Sequence, residues 1–257
     1  MAQTPYLSLI IPAYNEAGSI RRTLQLCQGY LDGQGYPYEI IVGADGDDGC
    51  REIVKQLAET DPRLHVFGTP GRGGKGKAVR TGVARASGEI IGFADADYKT
   101  PIEELAKVLP WFGRGYDIVI GSRAAAGAQI RVRQPWYRRL GSWAFGVGMR
   151  AVTGLHGICD TQCGFKFFRR YVARDLFGRQ CIDGYMFDVE ILYLAQQAGY
   201  RIQEVGVTWQ DDGDSRLELL SGNWRNFRDI LRIRLGGVRR QAYAAAPPAE
   251  GSGRRAA

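Results

Sequence analysis

Apolar residues gather in short runs along the first half of the chain, and helix-spaced stretches separate them. LSLIIP (7–12), YEIIV (38–42), LHVF (64–67), EIIGF (89–93) and DIVI (117–120) show little polar alternation. Runs of that kind predict strands buried on both faces, as in a parallel sheet. Residues 19–31, 50–58, 77–86 and 102–109 carry apolar positions at helical spacing. Strands alternating with helices through right-handed crossovers give a doubly wound, Rossmann-like α/β layer. Ligands of such sheets sit outside the carboxyl ends of the strands. Those ends carry the polar motifs of this chain: YNE (14–16), ADGDDG (44–49), DAD (95–97) and GSR (121–123).

The second half is less regular. Residues 131–153 read as a basic helix, 171–177 and 187–198 as helices, 202–209 as a strand, and 223–234 as a basic amphipathic helix. The expected organisation is an α/β domain over 1–220, a basic amphipathic interfacial helix over 221–243 and a disordered tail over 244–257. That tail, AAAPPAEGSGRRAA with its flanks, has too little apolar surface to offset the entropy of ordering.

Charge narrows the choice of partner. The 257 residues carry a net charge of +7, which suits nucleic acid, anionic lipid or a phosphorylated substrate. No nucleic-acid recognition motif occurs, so nucleic acid is not an expected partner. Between Asp117 and Asp160 there is no acidic residue, yet Arg123, Arg131, Arg133, Arg138, Arg139 and Arg150 all occur. Trp136, Leu140, Trp143 and Val147 recur there at helical spacing. Trp224, Phe227, Leu231, Leu235 and Val238 do the same among Arg225, Arg228, Arg232, Arg234, Arg239 and Arg240. Such a stripe is either an interfacial helix on an anionic membrane surface or a core-facing stripe with a solvated basic face. No run of about 18 apolar residues exists, so any membrane contact is expected to be peripheral. The opening MAQTPYLSLIIPAYNE reads as a strand entering a loop and not as a signal peptide. The expected location is cytoplasmic, on the inner face of the membrane. Cys27, Cys50, Cys159, Cys163 and Cys181 are too scattered for a disulfide framework, and His65 and His156 do not complete a zinc site with them.

The chemistry is carried by carboxylates. Asp95 and Asp97 lie just past an apolar strand, and their oxygens suit Mg²⁺ or Mn²⁺ bridging a diphosphate. The same pair also reads as a turn before Thr100-Pro101. GRGGKGK (71–77) lacks the phosphate-loop spacing, and Lys75 and Lys77 read as solvated loop charges. Asp188 and Glu190 stand two apart on a helix, so at most one points into a site.

IIPAYNE, the Asp-containing loop after YEIIV, GKGKAVRTG and FADADYKTP occur in that order over about the first hundred residues. Together they resemble the inverting nucleotide-sugar transferases of family 2, with the GT-A fold. GSR, DTQCGFKFF (160–168), FDVEILYLAQ (187–196) and VTWQDDGDSR (207–216) look like dolichyl-phosphate β-glucosyltransferases, with polyprenyl-phosphate mannose synthases as close relatives. The resemblance covers residues 6–235. It implies a mostly parallel sheet flanked by helices, and hexose transfer from a nucleotide sugar to a polyprenyl phosphate. UDP-glucose is the favoured donor and GDP-mannose the second. It places Pro12, Tyr14, Glu16, Asp45, Ala94, Asp95, Ala96, Asp97 and Arg216 at the donor. Asp95 and Asp97 hold the metal, and with Arg123 form the catalytic set. Arg123, Arg139 and Lys166 are the candidates for the acceptor phosphate, although Lys166 also reads as a turn cap. Two departures stand out. Ala44 replaces the first aspartate of the base-reading loop, and Lys99 stands where mannose synthases carry a metal-holding glutamine. The alternatives are a hydroxyl acceptor, with Asp188 or Glu190 as base, and a nucleotide-sugar-binding membrane adapter without catalysis.

Overall fold

The computed structural model describes residues 4–131, 146, 148–150, 152–210 and 223–234. Seven strands form the central sheet: β1 (Leu7–Tyr14), β2 (Tyr38–Asp45), β3 (Leu64–Phe67), β4 (Ile90–Ala94), β5 (Ile118–Ser122), β7 (Phe165–Arg169) and β8 (Ile202–Gly206). Their order is β3-β2-β1-β4-β7-β5-β8. A two-stranded ribbon, β6 (Gln129–Ile130) with β9 (Thr208–Trp209), lies apart from it. Helices among the described residues include α1 (Ile20–Asp32), α2 (Cys50–Ala58), α3 (Lys75–Arg85), the short α4 (Leu105–Val108) and α5 (Pro110–Gly113), then α6 (Arg170–Arg179), α7 (Phe187–Gln197) and α8 (Asn223–Arg234); residues 148–150 are helical too.

Strand alternation splits the buried residues into two cores, one on each face of the sheet. Leu7, Leu9, Ile11, Ile40 and Val42 face α1, α2 and α4, where Leu24, Leu31, Val54 and Leu105 meet them. Ile10, Ile41, Ile91 and Phe93 face the other layer, where Val79, Val83, Leu176, Phe177 and Phe187 pack. Burial on both faces is why the strands read as unbroken apolar runs.

The sheet is mostly parallel, with one reversal that the hydrophobic pattern did not predict. β7 runs antiparallel to both β4 and β5 and separates them. Its sequence, FKFFR, hides in the pattern because Lys166 interrupts the apolar run. Yet Phe165, Lys166, Phe167 and Phe168 are all buried. The predicted strand 202–209 is two strands: Val207 leaves β8, bonds Ser122 O through its amide, and hands the chain to the ribbon.

α8 turns Ile230 and Ile233 into the second core and leaves Arg228, Arg232 and Arg234 exposed. Of the apolar stripe read from the sequence there, Leu231 is half-buried. The side chains of Trp224 and Phe227, and residues Leu235 and Val238, lie outside the described residues. So do 132–145, with Trp136, Arg139, Leu140 and Trp143, as well as Val147, Arg216 and the 244–257 tail. Among the described residues, no helix is long and apolar enough to cross a membrane.

Candidate active site

The carboxyl ends of β1, β2, β4 and β5 bring the polar motifs to one edge of the sheet. Tyr14 ends β1 and is 38% exposed. Asn15 follows with φ 53°, and its Oδ1 accepts the amide of Asp47 at 3.2 Å. A Cβ on Gly46 would stand 1.9 Å from that oxygen, so the two loops meet closely only because residue 46 is glycine. Pro12 lies inside β1. Glu16 accepts the Ser19 hydroxyl at 2.6 Å where the chain turns into α1.

Asp45 ends β2. Its Oδ1 accepts the amide of Thr69 at 2.9 Å, and its Oδ2 accepts the amide of Gly73 at 3.1 Å. The carboxylate expected to read a base therefore holds the 69–73 loop in place. That loop carries Arg72, whose guanidinium lies 4.8 Å from the centre of the Tyr14 ring.

The DAD motif leaves β4 as expected. Ala94 and Ala96 are buried, and Ala96 O accepts the Thr23 hydroxyl at 2.7 Å, which fixes the backbone between the two aspartates. Both carboxylates stay partly exposed, and each meets a lysine. Lys75 Nζ is 2.6 Å from Asp95 Oδ1, and Lys99 Nζ is 3.1 Å from Asp97 Oδ2. Lys75 is thus no solvated loop charge. Burial opposes its charge, but Asp95 and Asp188 outweigh burial and raise its pKa. Gly164, just before β7, closes the other side of Asp95: a Cβ there would lie 2.0 Å from Asp95 Oδ2. Two carboxylates at a strand end offer hard oxygen donors that suit Mg²⁺ or Mn²⁺, for which a cation would compete with the two lysines. No cluster of three or more His, Cys, Asp or Glu residues suited to a metal occurs among the described residues.

Arg123, from GSR, directly follows β5 and is held by Asp160. Nε to Oδ2 is 2.7 Å and Nη2 to Oδ1 is 2.9 Å. Burial opposes ionisation of Asp160, but the hydrogen bonds and charge of Arg123 outweigh it and hold the carboxyl at about 2. Lys166 lies buried behind this cluster. It is 0% exposed, 2.6 Å from Asp188 Oδ1, and it also donates to Cys163 O at 2.5 Å. The ammonium is spent inside the fold, not presented at a surface. Burial raises the Asp188 pKa against the pull of Lys166 and Lys75. Glu190 faces away and accepts the amides of Cys181 and Ile182 at 2.9 and 2.8 Å. The two acids point in different directions, as their spacing requires.

The structure thus gathers Tyr14, Asp45, Asp95, Asp97 and Arg123 at one edge. It adds Lys75, Arg72, Asp160 and Gly164, to which the sequence reading gave no place in the site. Lys75 and Arg72 lie in GRGGKGK, and Asp160 and Gly164 in DTQCGFKFF. The motifs were visible, but their partners are far away in sequence.

The model of the family Glycosyl transferase family 2 matches residues 8–177. A dolichyl-phosphate beta-glucosyltransferase of Trichomonas vaginalis is 37% identical over 242 residues, covering 89% of this chain and 70% of the relative. One of Dictyostelium discoideum is 32% identical over 242 residues, covering 89% and 74%. The solved structure of glucosyl-3-phosphoglycerate synthase from Mycobacterium tuberculosis, in complex with Mn²⁺, UDP and phosphoglyceric acid, superposes with a TM-score of 0.66. It is 21% identical, covering 90% of this chain and 79% of that one, and it shares the GT-A fold. By its match over residues 8–177 and its likeness to these relatives, the chain belongs to glycosyl transferase family 2.

Proposed function

We propose that this chain is a hexosyltransferase that moves glucose from UDP-glucose to the phosphate of a dolichyl-type polyprenyl lipid, with inversion, at a membrane surface. The observation that carries the reading is the pairing of Asp95 and Asp97 with lysines at the end of β4, beside an arginine fork at the end of β5. One side is built for a diphosphate with its cation, the other for a second phosphate. The names of the relatives support glucose and dolichyl phosphate.

The residues divide the work. Tyr14 offers a ring face to the base, and Pro12 and Glu16 shape the loop beside it. Asp95 and Asp97 would hold Mg²⁺ or Mn²⁺, which supplies charge neutralisation for the departing nucleotide diphosphate. Lys75 and Lys99 stand within reach of the same diphosphate. Arg123 positions the acceptor phosphate. A phosphomonoester has a second pKa near 6, so it arrives ionised and needs no general base. Positioning and electrostatic stabilisation are then enough. A hydroxyl acceptor would need Asp188 or Glu190 as base. Both are buried and committed to internal partners, which argues against that acceptor. A binding-only adapter is disfavoured by the intact aspartate pair. The exposed arginines of α8 support peripheral contact with anionic lipid.

The test is label transfer from UDP-glucose or GDP-mannose, with and without a polyprenyl phosphate, in Mn²⁺ or in excess chelator. Glucose should reach the lipid only with UDP-glucose and a divalent ion. Better use of GDP-mannose, or equal turnover without lipid phosphate, would overturn the reading.

A further inference from the structure

The loop 159–164 has a role that its motif does not announce. Asp160 is 8% exposed and accepts four hydrogen bonds. Oδ2 takes the Arg123 amide at 2.9 Å and Nε at 2.7 Å. Oδ1 takes Nη2 at 2.9 Å and the amide of Gln162 at 3.2 Å. The loop itself is pinned from β8: Glu204 accepts the amides of Cys159 and Asp160 at 2.9 and 2.8 Å. Trp209 lies under the guanidinium, 5.5 Å from ring centre to Cζ.

A guanidinium has five N–H donors on two usable edges. Asp160 takes the side edge, through Nε and Nη2. Nη1 makes no hydrogen bond to the described residues, and the side chain is 34% exposed. The end edge, Nη1 with the second N–H of Nη2, is not taken by any of the described residues. That edge matches two oxygens of a phosphate. The same loop ends at Gly164, which seats Asp95. One loop therefore sets the direction of the arginine and the place of the metal-side carboxylate.

We propose that Asp160 is a positioning residue: it clamps Arg123 side-on so that the end edge meets the acceptor phosphate. The proposal rests on the reading of Arg123 as the acceptor-phosphate contact. Asp160 does not touch the acceptor and takes no proton. Lysine at position 123 would not replace the clamp, because one ammonium cannot hold Asp160 and present a planar fork.

The experiment compares Asp160→Asn, Arg123→Lys, Arg123→Ala and Asp160→Asn/Arg123→Ala with the wild type. It uses a short polyprenyl phosphate in detergent for kinetics, and calorimetry with UDP and Mn²⁺ for the donor side. Asp160→Asn and Arg123→Lys should each raise the acceptor KM on the order of tenfold, the effect of misaiming one charged hydrogen bond. UDP affinity should stay unchanged. In the Arg123→Ala background, Asp160→Asn should change the acceptor KM less than about twofold, because coupled residues are not additive. If Asp160→Asn lowers kcat at constant KM, or costs as much without Arg123 as with it, the positioning role is wrong. Wild-type KM in Arg123→Lys also overturns it, whether or not the Asp160 variant folds. If Arg123→Ala itself leaves the acceptor KM unchanged, the phosphate assignment of Arg123 fails and the proposal with it. A wild type that never uses polyprenyl phosphate overturns the broader function instead.

Discussion

Replacing Gly164 with alanine places one methyl group against the metal-side carboxylate. Its Cβ would stand 2.0 Å from Asp95 Oδ2, 2.3 Å from Cγ and 2.5 Å from Oδ1. Carbon–oxygen contacts run at about 3.3–3.6 Å, so the carboxylate must retreat by more than about 1 Å. It can shift only by straining its contact with Lys75, which holds Oδ1 at 2.6 Å. The backbone at 164 is not in the left-handed region, so alanine brings no conformational penalty of its own. A displacement of about 1 Å at a reacting centre costs roughly 10²-fold. Gly164→Ala should therefore lower kcat about a hundredfold, with weaker Mn²⁺ binding in the presence of UDP. The unfolding midpoint should move little, because Asp95 is partly exposed and has solvent into which it can shift. Turnover by label transfer, Mn²⁺ binding by spin-resonance titration and a thermal melt measure the three quantities. Wild-type turnover and Mn²⁺ affinity in a folded Gly164→Ala protein would show that Asp95 is not held at the position the chemistry uses.

Four further outcomes are expected. Lys99→Gln removes a resident cation 3.1 Å from Asp97, so Mn²⁺ affinity without nucleotide should rise about three- to tenfold for a partly screened pair; a fall would mean that Lys99 does not compete with metal. Lys166→Met takes the hydrogen-bonded partner from buried Asp188 and should cost about 3 kcal/mol in urea unfolding, most of it recovered by adding Asp188→Leu; a stable Lys166→Met protein with a raised acceptor KM would restore the acceptor role. The Asp160 carboxyl is held at about 2 in the fold, below its ordinary 3.8. Its stabilisation is therefore complete above about pH 4 and fades from there toward 2, and the stability gap between wild type and Asp160→Asn should shrink in that window. A gap that stays constant down to pH 2 would contradict the depressed value. Alanine at Arg228, Arg232 and Arg234 together should reduce co-sedimentation with anionic vesicles at low salt, each arginine being worth about 1 kcal/mol; unchanged sedimentation would move the membrane contact elsewhere.

The parallel strands and the loops at their carboxyl ends were legible because burial on both faces leaves an unbroken apolar run. Asp95 and Asp97 were legible for the same reason: a strand such as EIIGF must end before polar residues begin. β7 was not, since a buried lysine in FKFFR makes sense only once Asp188 arrives from α7. Lys166 illustrates the same limit. In sequence it is a cation between two phenylalanines, and only the packed structure shows it turned inward. Asp160 and Arg123 lie 37 residues apart, and no periodicity links them. Pairings across the fold set the orientation of site residues, whereas local pattern sets only the elements that carry them.

The reversed strand β7 also bears on how the chain assembles during synthesis. β4 and β5 bond to each other only through β7, which follows β4 by about seventy residues. At roughly 5–20 residues per second, a ribosome needs several seconds to supply it. During that interval β1 to β4 can pair, while one edge of β4 and both edges of β5 stay open. Exposed strand edges template aggregation. Slow codons or a stalled ribosome before residue 165 should therefore lower the soluble yield more than the same delay after residue 206, when β8 has been made. The inserted strand, whose leading loop seats Asp95 through Gly164, is also the last inner strand the nascent sheet receives.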